Sequence, residues 1–278
     1  MTQPTKTYSP TSPGRRAQSV IAYRQFITKK NPEKSLTFGR KRISGRNNQG
    51  RITTRHRGGG AKRLFRAVDF KQNKYGVTGR VLAIEYDPNR TSFLALVLYS
   101  DGERRYILAP EGLKVGGRVL ADEKAPLEVG SRLPLAVLPV GTFIHNIELQ
   151  PRQGGVLVRS AGSGGLVLAQ EGDFTNIKMP SGEVRRFLSS AWASMGVLSN
   201  PHHRHVVIGK AGRARHMGRR PTVRGSAMNP RDHPLGGGEG RTMRGMARVK
   251  NKWGKPVRGV KTRKRGKYSD KLILQRRK

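Results

Sequence analysis

Positive charge falls into three blocks along this 278-residue chain. Residues 1–80 carry 20 Lys/Arg against 2 Asp/Glu, residues 81–200 carry 12 against 12, and residues 201–278 carry 24 against 3. The net +39 is therefore +18, 0 and +21 in chain order. A neutral centre can condense around an apolar core. Two cationic flanks cannot condense alone, because their self-repulsion is relieved only by counter-charge. The expectation is a folded module pinned to a polyanion by basic arms that order only on binding it, with nucleic acid the first candidate.

The other compositional signals narrow the class. With 35 Gly and 16 Pro, and glycine concentrated in basic stretches, the backbone is expected to turn tightly or lie against a partner rather than form long helices. The absence of cysteine excludes disulfides and thiolate metal sites and is compatible with a reducing compartment. The start, Met1 to Arg16, lacks the apolar stretch of a secretory signal, and the longest apolar run, Phe93 to Tyr99, is far short of the roughly 20 residues that span a bilayer. No membrane association is expected.

Residues 1–60 read as a basic N-terminal extension, since Pro4, Pro10 and Pro13 come early and the apolar residues are too sparse to form a face. From Leu64 short β-branched and aliphatic segments alternate with turn residues: Leu64 to Phe70, Val77 to Tyr86, Phe93 to Tyr99 and Arg104 to Leu108. Asp101-Gly102 between two of them is the sharpest hairpin signal in the chain. After a bridging stretch around Gly116 to Gly130, seven further segments follow at short spacing from Leu133 to Leu198. Such spacing is that of small antiparallel barrels. The fold expected is all-β: an OB-like barrel at 61–124, then an SH3-like barrel at 125–200. A basic C-terminal extension at 201–278 is mostly irregular, with a short helix at Lys210 to Met217.

Several residue groups invite functional readings. The run Arg51 to Arg63 sets five Lys/Arg and His56 around Gly58, Gly59 and Gly60. Backbone without Cβ atoms can approach phosphate or ribose closely while guanidiniums bind alongside; the plain alternative is a solvated linker. No phosphate-loop pattern of the NTPase kind is present. His202, His203 and His205 surround Arg204 and lack the carboxylates needed to complete a metal site, so no metal is expected there. Ser226, Asp232 and His233 lie in Gly-rich coil without a rigid scaffold for a triad, so no enzyme is expected. Trp253 among Lys250, Lys252 and Lys255 is suited to stacking on a base or to capping a small local cluster.

Four strings are more specific: Ser44-Gly45-Arg46-Asn47-Asn48-Gln49-Gly50-Arg51-Ile52-Thr53-Thr54-Arg55-His56-Arg57-Gly58-Gly59-Gly60, Ile84 to Arg90, Arg105 to Pro110, and above all Gly225-Ser226-Ala227-Met228-Asn229-Pro230-Arg231-Asp232-His233-Pro234-Leu235-Gly236-Gly237-Gly238-Glu239-Gly240-Arg241. In this order they closely resemble the bacterial-type family of the second protein of the large ribosomal subunit. The resemblance runs from about residue 40 to the C-terminus. It implies the same two barrels, seated on large-subunit ribosomal RNA, with the C-terminal arm reaching toward the peptidyl-transferase region. It further implies a structural, non-enzymatic part in subunit association and in organising the catalytic RNA, with neighbouring ribosomal proteins and small-subunit contact as partners. His233 corresponds to the histidine discussed in connection with peptide-bond formation; since RNA does that chemistry, it is assigned to RNA contact. Two departures stand out: Leu235 replaces the usual second histidine, and Lys252 the usual proline before the tryptophan.

The residues expected to meet RNA are Arg46, Arg51, Arg55, His56, Arg57, Gly58, Gly59, Gly60, Lys62 and Arg63 on the first arm. On the second they are Lys210, Arg213, Arg215, Arg219, Arg220, Arg224, Met228, Asn229, His233, Gly236, Gly237, Gly238, Arg241, Trp253, Arg263 and Lys264. No cofactor is expected, with structural magnesium held mainly by RNA. The location expected is the ribosome, cytoplasmic or organellar. The alternative reading is a general nucleic-acid-binding architectural protein or RNA chaperone.

Overall fold

The structure is a computed structural model and describes residues 4–41, 44–240, 246–264 and 266–277. The chain forms two compact units: residues 1–41, 62–211 and 269–278 make the first, residues 42–61 and 212–268 the second. The grouping cuts across the charge blocks, because the N-terminal extension is shared between the units and the chain's last residues return to the first.

In the first unit a short antiparallel ladder joins β1 (Thr5–Thr7) to β2 (Ser19–Ile21), with the single turn α1 (Pro13–Arg16) between them. β3 (Thr37–Gly39) pairs with β4 (Leu64–Arg66). The first barrel is built on β5 (Gly79–Glu85), β6 (Leu94–Tyr99), β7 (Arg104–Leu108) and β8 (Arg118–Ala121). The second uses β9 (Ser131–Pro134), β10 (Phe143–His145), β11 (Ile147–Glu148), β12 (Gly155–Leu157), β13 (Gly165–Glu171), β14 (Phe174–Lys178), β15 (Val184–Leu188) and β16 (Trp192–Met195). After α2 (Ala211–His216), the last strand is β17 (Ile273–Gln275), which adds to the edge of β15. One eleven-stranded sheet, in the order β17-β15-β14-β13-β10-β16-β9-β8-β5-β6-β7, runs through both barrels. The two halves join where β8 and β9 pair in parallel, Leu120 opposite Ser131.

Strand β6 explains why its sequence is an unbroken apolar run. Its side chains alternate between two cores: Ala95, Val97 and Tyr99 pack with Val81, Ile107 and Val119, while Leu94 and Leu96 pack with Ala83, Tyr106, Leu108 and Leu198. A bulge in β5 between Val81 and Ala83 sends those two residues to different cores, which a regular period of two would not do. The second barrel has its own core around Leu133, Leu135, Ile144, Ile147, Val167, Ile177 and Phe187.

The N-terminal segment departs from the expected extended arm. Ile21 is 2 % exposed in the first core, with Tyr23 and Ile27 packed against it, and Leu36 packs on the other. Three or four apolar residues suffice here because they cover faces already formed by β5–β7 and need no face of their own.

The charged groups inside the second barrel are held by hydrogen bonds, although Arg132 Nε has no hydrogen-bond partner. The Arg132 guanidinium, 0 % exposed, donates to Glu148 (2.9 Å), to the Asn146 carbonyl (3.0 Å) and to Ser194 Oγ (3.3 Å). Glu148 also accepts from the backbone N–H groups of Arg152, Gly154 and Trp192. Burial holds the His145 pKa down to about 4, so its ring is neutral near pH 7 and Nδ1 donates to the Gly196 carbonyl at 2.9 Å.

Candidate nucleic-acid interface

The second unit holds 23 Lys/Arg against two acids, Asp232 and Glu239, in 77 residues. None of its described residues is buried. At most two of its cations can be neutralised by its own carboxylates, and no apolar core offsets the repulsion among the rest. Backbone hydrogen bonds pair its segments, and every cationic side chain among its described residues is exposed or half-buried, within reach of a polyanion.

Its two segments pair with each other. Arg57 bridges Arg219 in antiparallel register, Gly58 N–H donates to the Gly218 carbonyl (3.0 Å), Ala61 N–H to the His216 carbonyl (2.9 Å), and Arg220 N–H to the His56 carbonyl (3.1 Å). Of the three glycines, Gly60 acts here as a packing device. A Cβ on Gly60 would stand 3.0 Å from both Cα and N of Gly218, tighter than nine in ten real side-chain contacts. The expectation that each arm lacks a fixed path until it meets its partner is therefore corrected for this segment. Main-chain pairing at glycines orders 56–61 against 216–220 without any hydrophobic contribution.

The predicted contact residues take up distinct positions. Arg46 and Arg51 sit on a hairpin whose Arg46–Ile52 bridge and Asn47–Arg51 bonds close it, and both are exposed. Arg55, Arg57, Gly59, Arg219, Arg220 and Arg224 are exposed about the paired segments, while His56, Gly58, Gly60, Arg213 and Arg215 are half-buried. Arg263 and Lys264 lie exposed toward the end of this unit. In the first unit Lys62 and Lys210 are exposed, whereas Arg63 turns to donate to the Pro88 carbonyl at 3.1 Å. Arg241 lies outside the described residues. The expected helix appears as α2, with no buried face.

The segment 225–238 is a folded loop. Asp232 and His233 N–H groups donate to the Asn229 carbonyl, Gly236 N–H to that of His233, and Gly237 N–H to that of Met228. Met228 is half-buried, while Asn229 and Gly238 are exposed. His233 Nδ1 accepts from the Leu235 N–H at 3.1 Å, which puts the neutral ring's own proton on Nε2. The ring lies flat against Gly225, where a Cβ would come within 2.4 Å of it. Gly225 is thus a positioning residue that reading the string by its polar members passes over. Residues 250–256 form a second hairpin, with Asn251 Oδ1 accepting from the N–H groups of Trp253 and Lys255. It presents Trp253, 70 % exposed, with Lys252 Nζ 4.6 Å from the ring centre.

One pair of cations went unseen in the neutral middle. Arg90 and Arg159 stand over the Phe70 ring at 5.4 and 4.4 Å from its centre. Asp87 fixes Arg90 through a 2.6 Å bond. Burial, and then the Arg90 charge, hold the Arg159 pKa below its ordinary value. Summing charge over a segment hides such a pair, because the sum does not record which charges lie together.

Comparison with known families agrees with this geometry. Residues 33–121 match the family described as Ribosomal Proteins L2, RNA binding N-terminal domain, and residues 128–254 match Ribosomal Proteins L2, C-terminal domain. Together the matches span most of the chain. The chain belongs to the ribosomal protein L2 family. As a member of the L2 family it is a protein of the large ribosomal subunit with an RNA-binding N-terminal domain, and its two barrels are the OB-like and SH3-like domains of that family. The loop at His233 and most of the second segment of the cationic unit lie within the C-terminal match. Among the described residues no helix is long and apolar enough to cross a membrane.

Proposed function

We propose that this L2-family protein uses its cationic unit to clamp and organise folded ribosomal RNA near the peptidyl-transferase centre, and that it supports subunit association without taking part in bond-making. The observation that carries the reading is the pairing of 56–61 with 216–220 in a unit that has 23 cations, two acids and no buried residue among those described. Main-chain pairing holds such a unit together, and phosphates that supply the counter-charge relieve the repulsion that remains among its cations. The barrels provide a rigid base, and shape selectivity falls to the loop at 225–238 and to Trp253, which reach toward bases and sugars rather than adding charge. His233 contributes an Nε2–H donor held in one orientation by Leu235 and Gly225. With so few carboxylates in the unit, magnesium at this interface is held mainly by RNA.

The reading is tested by measuring affinity for a large-subunit RNA fragment against salt. If about ten phosphates are contacted, the log-log slope is on the order of −7 to −9. Reversing Arg219, Arg220 and Arg224 to Glu should weaken binding strongly and flatten that slope. Equal affinity for duplex DNA and for the folded RNA would favour a general nucleic-acid chaperone. His233→Ala in assembled ribosomes should leave peptide-bond formation in place; its complete loss with assembly intact would overturn the non-enzymatic assignment.

A further inference from the structure

A cleft of about 490 Å3 opens in the first unit. Its floor is an aromatic pair, Tyr75 and Trp192, with ring centres 4.8 Å apart and planes at 45°. Trp192 is buried beneath, while Tyr75 remains 44 % exposed. The walls carry Asp122 and Glu123 together with Lys124 and Arg152. The site is built rather than draped: Tyr75 is bridged to Ala121, Asp122 accepts from the Lys124 N–H at 3.0 Å, and the Arg152 N–H donates to the buried Glu148 at 3.0 Å. Its volume falls in the range of roughly 300–1,000 Å3 typical of ligand pockets.

The mixture of charges decides what fits. An arginine or lysine from a neighbouring protein would stack on the tyrosine and meet the acids, but would also face two cations. An acidic peptide would meet the reverse problem and leave the aromatic floor unused. A nucleotide uses all three features together: a flat face for Tyr75, N–H and amino groups on the base edge for the carboxylates, and an anionic phosphate for Lys124 and Arg152. We propose that this cleft takes one unpaired nucleotide of the ribosomal RNA, with its base stacked on Tyr75 and its donor-bearing edge turned to Asp122 and Glu123. A guanine is favoured, since its N1–H and N2 amino group are adjacent donors that one carboxylate can accept together, whereas adenine and cytosine set a single amino group beside a ring acceptor. The inference rests on the RNA-binding reading above and adds to it a directed contact inside the uncharged part of the protein.

The test uses the full chain and the large-subunit RNA fragment that it binds. Tyr75→Ala is expected to weaken binding roughly 5- to 150-fold, the range for loss of one base–aromatic stack, with the salt slope unchanged because no phosphate contact is lost. Tyr75→Phe keeps the ring and should bind like the parent. Tyr75→Leu keeps the bulk but loses the π face and should behave like the alanine variant, which separates stacking from a packing defect. Ultraviolet cross-linking with mass spectrometry should place a nucleotide adduct on the peptide bearing Tyr75 or Trp192. Alanine and leucine variants that bind as tightly as the parent would overturn the proposal, as would cross-links in assembled subunits running from this cleft to a protein. If those variants are silent while the Arg219, Arg220 and Arg224 reversals weaken binding, only the cleft assignment fails. If the unaltered chain ignores the RNA, the RNA-binding reading fails with it.

Discussion

Gly60→Val strikes the cationic unit where its two segments touch, without altering any charge. The φ of Gly60 lies outside the left-handed region, so valine meets no backbone penalty there, and the effect is steric. Its Cβ would sit 3.0 Å from Gly218 Cα and N, and backbone cannot swing aside as a side-chain tip can. The valine pushes the segments apart, which stretches the Gly58–Gly218 and Ala61–His216 hydrogen bonds. At about 1 kcal/mol each, their complete loss sets a ceiling of about 2 kcal/mol, or about 30-fold in RNA affinity. Fluorescence anisotropy with a labelled large-subunit RNA fragment across a potassium chloride series should give parallel lines for parent and variant, displaced by up to that factor. Because the chain has no cysteine, Arg57→Cys with Arg219→Cys offers a clean check on the free protein. Directly opposed antiparallel residues place their Cα atoms about 4.5–5.5 Å apart, within disulfide range. An unchanged affinity for the valine variant, or a cysteine pair that oxidises only when RNA is present, would refute the claim that the free protein pairs its arms.

Two further predictions concern the second barrel. Glu148→Gln leaves the buried Arg132 without a counter-charge and should cost about 3–5 kcal/mol in urea unfolding; adding Arg132→Met to it should recover part of the loss. A cost below about 1 kcal/mol would mean that the pair does not anchor the fold. His145 has its folded pKa at about 4, against about 6.5 when unfolded, so the unfolded chain binds the extra proton between those values. Its contribution is complete above about pH 6.5 and is lost as pH falls toward 4, by about 3 kcal/mol relative to His145→Asn, which keeps a donor for Gly196 but does not titrate. Parallel stability curves for the two proteins over that range would contradict the assignment.

Much of the barrel region can be read from the chain. The Arg104 to Leu108 segment is β7 residue for residue, the Asp101-Gly102 turn joins it to β6, and the helix expected at 210–217 is α2. These elements announce themselves because side-chain alternation and turn chemistry are local properties. Strand β8 is missed because Gly116-Gly117 precedes it and only Val119 and Ala121 of its four residues are buried. The strands near both termini, β1, β2 and β17, have three residues each, too few for a period to show, and β17 forms by adding to the edge of β15. Of the candidate site, the cations and the 225–238 loop are legible as composition and as string. The roles of Gly60 and Gly225 are not, since each depends on how closely the folded backbone brings another residue, Gly218 from far along the chain and His233 from within the same loop.

The residues by themselves determined that this protein would have a β centre of zero net charge and two flanks needing a polyanion, because charge and side-chain period accumulate along the chain whatever its path. Only the tertiary structure decided that the flanks would be paired through main-chain atoms, that Arg90 and Arg159 would share the Phe70 ring, and that Tyr75 would rest on Trp192 beside acids and bases together. Backbone hydrogen bonds carry no side-chain pattern, and a few long-range contacts leave no period to detect.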